Sequence, residues 1–502
     1  MLISTSRRTE LNPRRWRSGY PIAAGSRWIF AHGGYDELIE IQVESVEFHV
    51  TPVTLRMPFS FGAVTLRRIP LCTARLTIAS GEGQVTVGHA ADLLAPKWFE
   101  KDPDKTLDED SDNLLREANA AAAALRGRRG RAFELWWQLY RERVPDPQAT
   151  DAMVRGFGVT LCERALIDAT CRAAGQSFFG ALREDLFGFA PGVVHDELTD
   201  WSLRDSIGEK PTSTLHVRHT VGMVDPLSRE DLSGDSGREA VDDGFPETLK
   251  DDIDHYGLRY FKLKIGGDPD ADFDRLIRIG EVLSPYAPYE FTLDANEQYS
   301  DLASLRGLLD RLGDDAVGAQ MLERLLFIEQ PLPRSSTFDI HSRKDLAAVS
   351  EVTPVIIDEA DCGIDAFRLA VGLGYRGVSI KNCKGVFRAL INRGLCDVLE
   401  GDLFQSAEDL TNLPVVALQQ DLATISALGV SHAERNGHHY FRGLDHLPAA
   451  LAQAALAKHP DLYLAHGDGV AVRIEDGRLQ VGSLLCPGYG YDGALDMSSI
   501  TT

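Results

Sequence analysis

The chain has no run approaching the ~20 apolar residues that a membrane span requires. It has no Cys-x-x-Cys pair among its seven cysteines, and it is short of positive charge, with 52 Lys and Arg against 75 Asp and Glu. The first absence argues against a membrane protein. The second, with thiols scattered and odd in number, argues against a disulfide framework and for reduced cysteines in a cytoplasmic setting. The third leaves a net charge of −23, which disfavours nucleic acid and anionic membrane surfaces as partners. No apolar signal core precedes the basic stretch holding Arg7, Arg8, Arg14, Arg15 and Arg17, so secretion is not expected.

What is present is a series of short alternating segments in the second half. Tyr260 to Lys264 sets Phe261 and Leu263 on one face against Lys262 and Lys264 on the other. Asp294 closes the face opposite Phe291 and Leu293, Glu329 stands against Ile328, Asp358 against Ile357, and Lys381 against Ile380. Successive side chains of a strand point to opposite faces, so each segment reads as a strand ending in an inward ionisable residue. The segments recur about every thirty residues, with helical patterns such as Phe273, Leu276, Ile277 and Ile279 between them. Strand and helix in alternation predict a parallel sheet, and about eight such units predict closure into a β/α barrel whose active site lies at the carboxyl ends of the strands.

A lone carboxylate at a strand end is an ordinary helix cap, and a lone Lys-x-Lys pair an ordinary solvated edge. Inward charges from five strands are another matter. They are intolerable in a packed barrel unless they neutralise one another or bind an ion. Three carboxylates without histidine or cysteine suit Mg²⁺, with Mn²⁺ as the near substitute, rather than zinc.

From about Glu44 to about Asp492 these features resemble the enolase superfamily, in its muconate-lactonising-enzyme-like (mandelate racemase/muconate lactonising enzyme) subgroup. The resemblance rests on Lys262-Leu263-Lys264, Asp294-Ala295-Asn296, Glu329-Gln330-Pro331, Asp358-Glu359 and Lys381 before Gly385. It implies Asp294, Glu329 and Asp358 as Mg²⁺ ligands, Lys264 and Lys381 as acid and base on opposite faces of the substrate, and Lys262 as the group that holds the substrate carboxylate and depresses the pKa of Lys264. Asn296, Glu359, His432, Glu434, Phe59 and Phe61 are the further expected substrate contacts, with Pro58 to Gly62 as a mobile specificity loop. The implied activity is α-proton abstraction from a small carboxylate through an enediolate, giving racemisation, epimerisation or cycloisomerisation. The alternatives are β-elimination on the same site, or a metal-binding relative without turnover. A homo-oligomer is expected.

The expected layout is an N-terminal extension over residues 1–42, an α+β cap over 43–205, the barrel over 206–465, and a return of 466–502 to the cap, which is thus built from both chain ends. In the cap, helices are expected at Ala132 to Arg143 and Thr160 to Ala174. Strand seven is expected near Asp397 to Phe404 and strand eight near Val430 to Glu434, and residues 224–247, rich in Asp, Ser and Gly, are expected to be unstructured. The single Gly385 stands where the family has paired glycines. A histidine-aspartate catalytic pair is excluded, because it needs an aspartate at Lys381 and a histidine near strand seven. His438 and His439 are disfavoured together as metal ligands, since neighbours on a strand face apart.

Overall fold

The computed structural model describes residues 39–61, 64–81, 83–232 and 241–493. The basic segment expected as an extension falls outside them through residue 38. The cap begins with β1 (Ile41–Phe61) and β2 (Val64–Ser80), a long antiparallel hairpin running from Ile41↔Ser80 to Phe61↔Val64. β3 (Gln84–Leu93) pairs with the far edge of β2, and the two-residue β4 (Arg129–Gly130) with β1. The helix Ala152–Ala173 lies across this sheet so closely that a Cβ on Gly88 of β3 would stand 2.2 Å from the carbonyl of Ala165. Only glycine permits that approach. The helix Leu107–Leu125 starts at a reciprocal capping box between Thr106 and Glu109, and Ala132–Arg143 is helical as expected.

Among the described residues eight parallel strands form the barrel: β5 (Thr214–Val221), β6 (Tyr260–Lys264), β7 (Glu290–Asp294), β8 (Leu325–Glu329), β9 (Val355–Ile357), β10 (Gly377–Ile380), β11 (Phe404–Ala407) and β12 (His432–Arg435). Pairing of β12 with β5, from His432↔His216 to Arg435↔His219, closes it. Leu215, Val217, Phe261, Leu263, Leu293 and Val378 are buried on the outer faces against the helices. Tyr260, Phe327, Ile356 and Phe404 pack together in the interior at the amino end, leaving the charged residues to the other.

Several expectations are corrected. Strand seven starts at Phe404, and Asp397 belongs to the preceding helix Val386–Val398. Pro58 to Phe61 is no loop but the end of β1, with Phe59 paired to Leu66; residues 62–63 lie outside the described chain. In the segment 224–247, residues 233–240 likewise lie outside it, whereas Arg229–Asp231 form a 3-10 turn and Asp243 pairs with Arg56 of the cap hairpin at 2.7 Å. The expected returning strand divides. β13 (Tyr463–His466) and β14 (Gly469–Val472) form a hairpin, and β15 (Arg478–Gln480) adds antiparallel to β5 of the barrel. Only the residues beyond reach the cap, where Tyr489 N–H donates to Asp168 and the Tyr491 hydroxyl meets His89 Nδ1, each at 2.8 Å.

The cap is also fastened to the loop after β10. Thr160 Oγ1 donates to the Cys383 carbonyl at 2.9 Å, and Glu163 accepts from the Phe387 N–H at 2.6 Å. Gly385, at φ +114, lets that loop turn into its helix against Glu163 and Thr160.

Candidate active site

Short strands place the charged side chains, because each projects its last inward residue at the carboxyl end of the barrel. Lys262 sits deepest and is fully buried. Its ammonium lies 2.9 Å from Asp294, 2.7 Å from Glu329, 2.8 Å from Glu408 and 2.9 Å from Glu434. Against the cost of burial, these four carboxylates hold Lys262 well above its ordinary pKa. Lys262 is thus spent on the carboxylates and does not line the cavity above them, unlike the substrate contact expected of it.

Lys264, one inward position further along β6, does reach that cavity. It donates to Asp294 Oδ2 at 2.6 Å and to Asn296 Oδ1 at 2.7 Å, and Asn296 in turn donates to Glu359 at 3.0 Å. Glu359 is buried behind Asn296 and does not line the cavity. Across the barrel Lys381 enters the same cavity, 2.6 Å from Asp358 and with its ammonium 4.7 Å from the centre of the Trp98 ring. Against burial, Lys381 and Lys384 hold Asp358 well below the usual carboxylate range.

Glu329 behaves oppositely. Burial first, then the Asp294 and Glu408 carboxylates, push it well up. Apart from the 2.7 Å ion pair of Oε2 with Lys262, its oxygens have no hydrogen-bond partner. A hard cation held by Asp294, Glu329 and Asp358 would relieve that arrangement, and an all-oxygen donor set is what such an ion takes. The residues present therefore fit the expected metal.

A cavity lies between barrel and cap, about 580 Å³ when the part open to solvent is counted. Lys264, Lys381, Asn296 and Glu434 form its polar floor, and Leu55, Phe59, Leu66, Ile69, Leu93 and Trp98 of the cap, with Phe441, form an apolar wall. Phe59 packs on Tyr440 with ring centroids 4.5 Å apart. One further expected contact is not found there. His432 opens β12 and lies toward the amino end, its Nδ1 2.8 Å from Arg218 and its ring stacked on Tyr260; of the two expected contacts on this strand, Glu434 is the one at the mouth. The side chain of Phe61 falls outside the described residues.

Sequence reading missed Glu408, one residue past β11, whose carboxylate joins Lys262 to Arg218 of β5. It also missed Lys384, which donates to Ser379 and pairs with Asp361 at 3.1 Å. The only signal for Arg218 is the outward run Leu215, Val217 and Val221 around it, which fixes its inward parity.

Residues 245–494 match the family model for the enolase C-terminal domain-like family. The chain is 30% identical over 182 residues to an L-Lys-D/L-Arg epimerase from Methylococcus capsulatus, a stretch covering 34% of this chain and 46% of that relative. The matched stretch thus spans less than half the length of this curated relative. In fold it is similar to a dipeptide epimerase from Enterococcus faecalis complexed with Mg and the dipeptide L-Leu-L-Tyr. The TM-score is 0.57 at 15% identity, covering 89% of this chain and 99% of that one. It is similar also to a muconate lactonizing enzyme from Pseudomonas fluorescens complexed with muconolactone, with a TM-score of 0.54 at 16% identity over 91% and 98% of the two chains.

Proposed function

From the premise that this chain belongs to the enolase superfamily, we propose that it is an isomerase that racemises or epimerises a small carboxylate by moving its α-proton. One observation carries this reading. Lys264 and Lys381 enter one cavity from β6 and from the end of β10, strands with three others between them in either direction around the closed barrel. A substrate lying between them meets a lysine on each face.

Asp294, Glu329 and Asp358 would hold Mg²⁺, or Mn²⁺ in its stead, and the bound ion would supply positive charge where the substrate carboxylate gains negative charge as the proton leaves. Lys264 would remove the proton on one face, and Lys381 would return one on the other. Asn296 fixes the direction of the Lys264 ammonium through its 2.7 Å hydrogen bond, with Glu359 bracing it from behind. Lys262 acts as a positioning residue, drawing four carboxylates to one point below the substrate. The cap wall of Leu55, Phe59 and Trp98 would exclude water from the exchanging proton.

The same wall supports a substrate class. Asp409 lines the cavity but is 3.3 Å from Arg435, so the region offers a cationic side chain little uncompensated charge. An N-acyl amino acid or dipeptide bearing an apolar group fits better than the basic dipeptides in the name of the Methylococcus capsulatus relative. A cytoplasmic setting and a homo-oligomer belong to the same proposal. Its test is incubation of single isomers of such substrates with the enzyme and Mg²⁺, followed by chiral chromatography. Metal-dependent appearance of the second isomer is expected. Its absence across apolar and basic members alike, with Mg²⁺ binding confirmed, would overturn the reading.

A further inference from the structure

A second convergence of ionisable side chains lies on the other side of the barrel wall. Thr220 of β5 faces inward, donating to Glu434 at 2.7 Å, so His219 faces outward. There it meets Asp252, from the helix Leu249–Tyr256 that follows β5, and His439, from the helical turn Gly437–Tyr440 that follows β12. Closure of the barrel by β12 against β5 brings the three elements together. His438 and His439 lie on this turn rather than on a strand, which is why both approach His219, against the expectation that they face apart.

Three observations identify what the cluster is for. One ligand atom from each of His219, Asp252 and His439 lies within 4.8 Å of the other two. All three residues are buried, with 2%, 0% and 2% of their surfaces exposed. His439 Nδ1 and Asp252 Oδ2 pair at 2.8 Å, while the other Asp252 oxygen, Oδ1, and the other ring nitrogen of His439, Nε2, have no hydrogen-bond partner. A buried carboxylate oxygen and ring nitrogen left without partners are costly, and a cation held by the cluster removes that cost.

The spacing suits a small tetrahedral ion. Zinc bonds of 2.0–2.1 Å set neighbouring ligand atoms about 3.4 Å apart. The observed 2.8 Å from His439 to Asp252 and 3.7 Å from His219 Nε2 to Asp252 bracket that length. The other nitrogen of His219, Nδ1, is 3.0 Å from His438 Nε2. A partner on the far ring nitrogen fixes the tautomer and orientation of a ligating histidine. Arg56, the nearby cation, is neutralised by two 2.7 Å bonds to Asp243 and donates to the carbonyl of His439 rather than to its ring.

We infer that His219, Asp252 and His439 bind a transition-metal dication, with zinc the natural occupant, at a site separate from the carboxylate set in the barrel. Two imidazoles and one carboxylate select such an ion over Mg²⁺, which prefers oxygen alone. Its role is structural. It clamps the first strand, the first barrel helix and the turn after the last strand, and that turn carries Tyr440 against Phe59 and leads into Phe441 of the cavity wall.

The test uses the full-length protein, stripped with chelator and then held in excess Mg²⁺ to fill the barrel site while Co²⁺ is titrated as a visible surrogate. One equivalent of Co²⁺ should bind with the strong visible absorption of a four-coordinate site, and Zn²⁺ should displace it. The absorption should survive Asp294→Asn and vanish in His439→Gln and His219→Asn. His438→Leu should weaken binding by about ten- to hundredfold, the effect of losing a bracing partner. The inference is overturned if wild-type protein in Mg²⁺ takes up no Co²⁺, if Mg²⁺ competes the Co²⁺ away, or if folded His439→Gln binds it undiminished. The wild-type titration decides even where a variant fails to fold.

Discussion

Lys262 and Lys264 converge on a single oxygen, Asp294 Oδ2, at 2.9 and 2.6 Å. Two residues apart on β6, they share its inner face but not their surroundings. The deeper lysine is enclosed by four carboxylates, and the outer one opens onto the cavity.

Removing the deeper ammonium leaves buried carboxylates facing one another. Lys262→Met is therefore expected to destabilise the metal-free protein by roughly 3–5 kcal/mol, the range for breaking a buried ion pair from one side. Urea unfolding measures it. Added Mg²⁺ should recover part of the loss, because the ion then neutralises Asp294 and Glu329.

Metal binding to the folded state alone raises its stability. Mg²⁺ at about a hundred times its dissociation constant should add about 2.7 kcal/mol, seen as a rise in Tm. Glu329→Gln should abolish that rise, and chelator should abolish turnover in the wild type.

Phe59 stands on the apolar wall against Tyr440. Phe59→Ala is expected to lower kcat/KM by about tenfold or more for substrates with a large apolar group and much less for small ones, in line with the contribution of apolar contacts to discrimination. Steady-state kinetics on a graded substrate series checks this.

Burial pushes His89 down to about 4, outweighing the opposing pull of Asp168. A histidine whose folded pKa is depressed contributes stability that is complete above its unfolded value, about 6.5, and is lost as pH falls toward 4. The loss over that window is on the order of 3 kcal/mol. Thermal unfolding between pH 7 and pH 4 should show a shallower acid decline in His89→Gln than in the wild type.

The barrel and most of its charged mouth were legible because Leu263, Leu293, Ile328, Ile357 and Ile380 mark the outward face of each strand and so fix the inward parity of the lysines and carboxylates beside them. β11 lacks that mark. It reads Phe404-Gln405-Ser406-Ala407, with the aromatic facing into the barrel floor and a glutamine that donates to the Ala389 carbonyl at 2.7 Å. Without apolar alternation the start of the strand carries no mark in the sequence, and Glu408 goes unmarked with it. His219 was invisible for another reason. Its partners come from a helix and a turn that only barrel closure brings near, and Val217 and Val221 on the same outward face make it look like an ordinary core residue.

The most direct test of the account is deuterium incorporation at the α-carbon in D₂O, measured by mass spectrometry for each substrate isomer separately in wild type, Lys264→Ala and Lys381→Ala. The wild type should exchange both isomers. Each variant should lose exchange of one isomer, by the hundred- to ten-thousandfold that a general base supplies, and keep exchange of the other, with the two variants as mirror images. Undiminished exchange of both isomers in both variants would contradict the assignment of proton transfer to two opposed lysines.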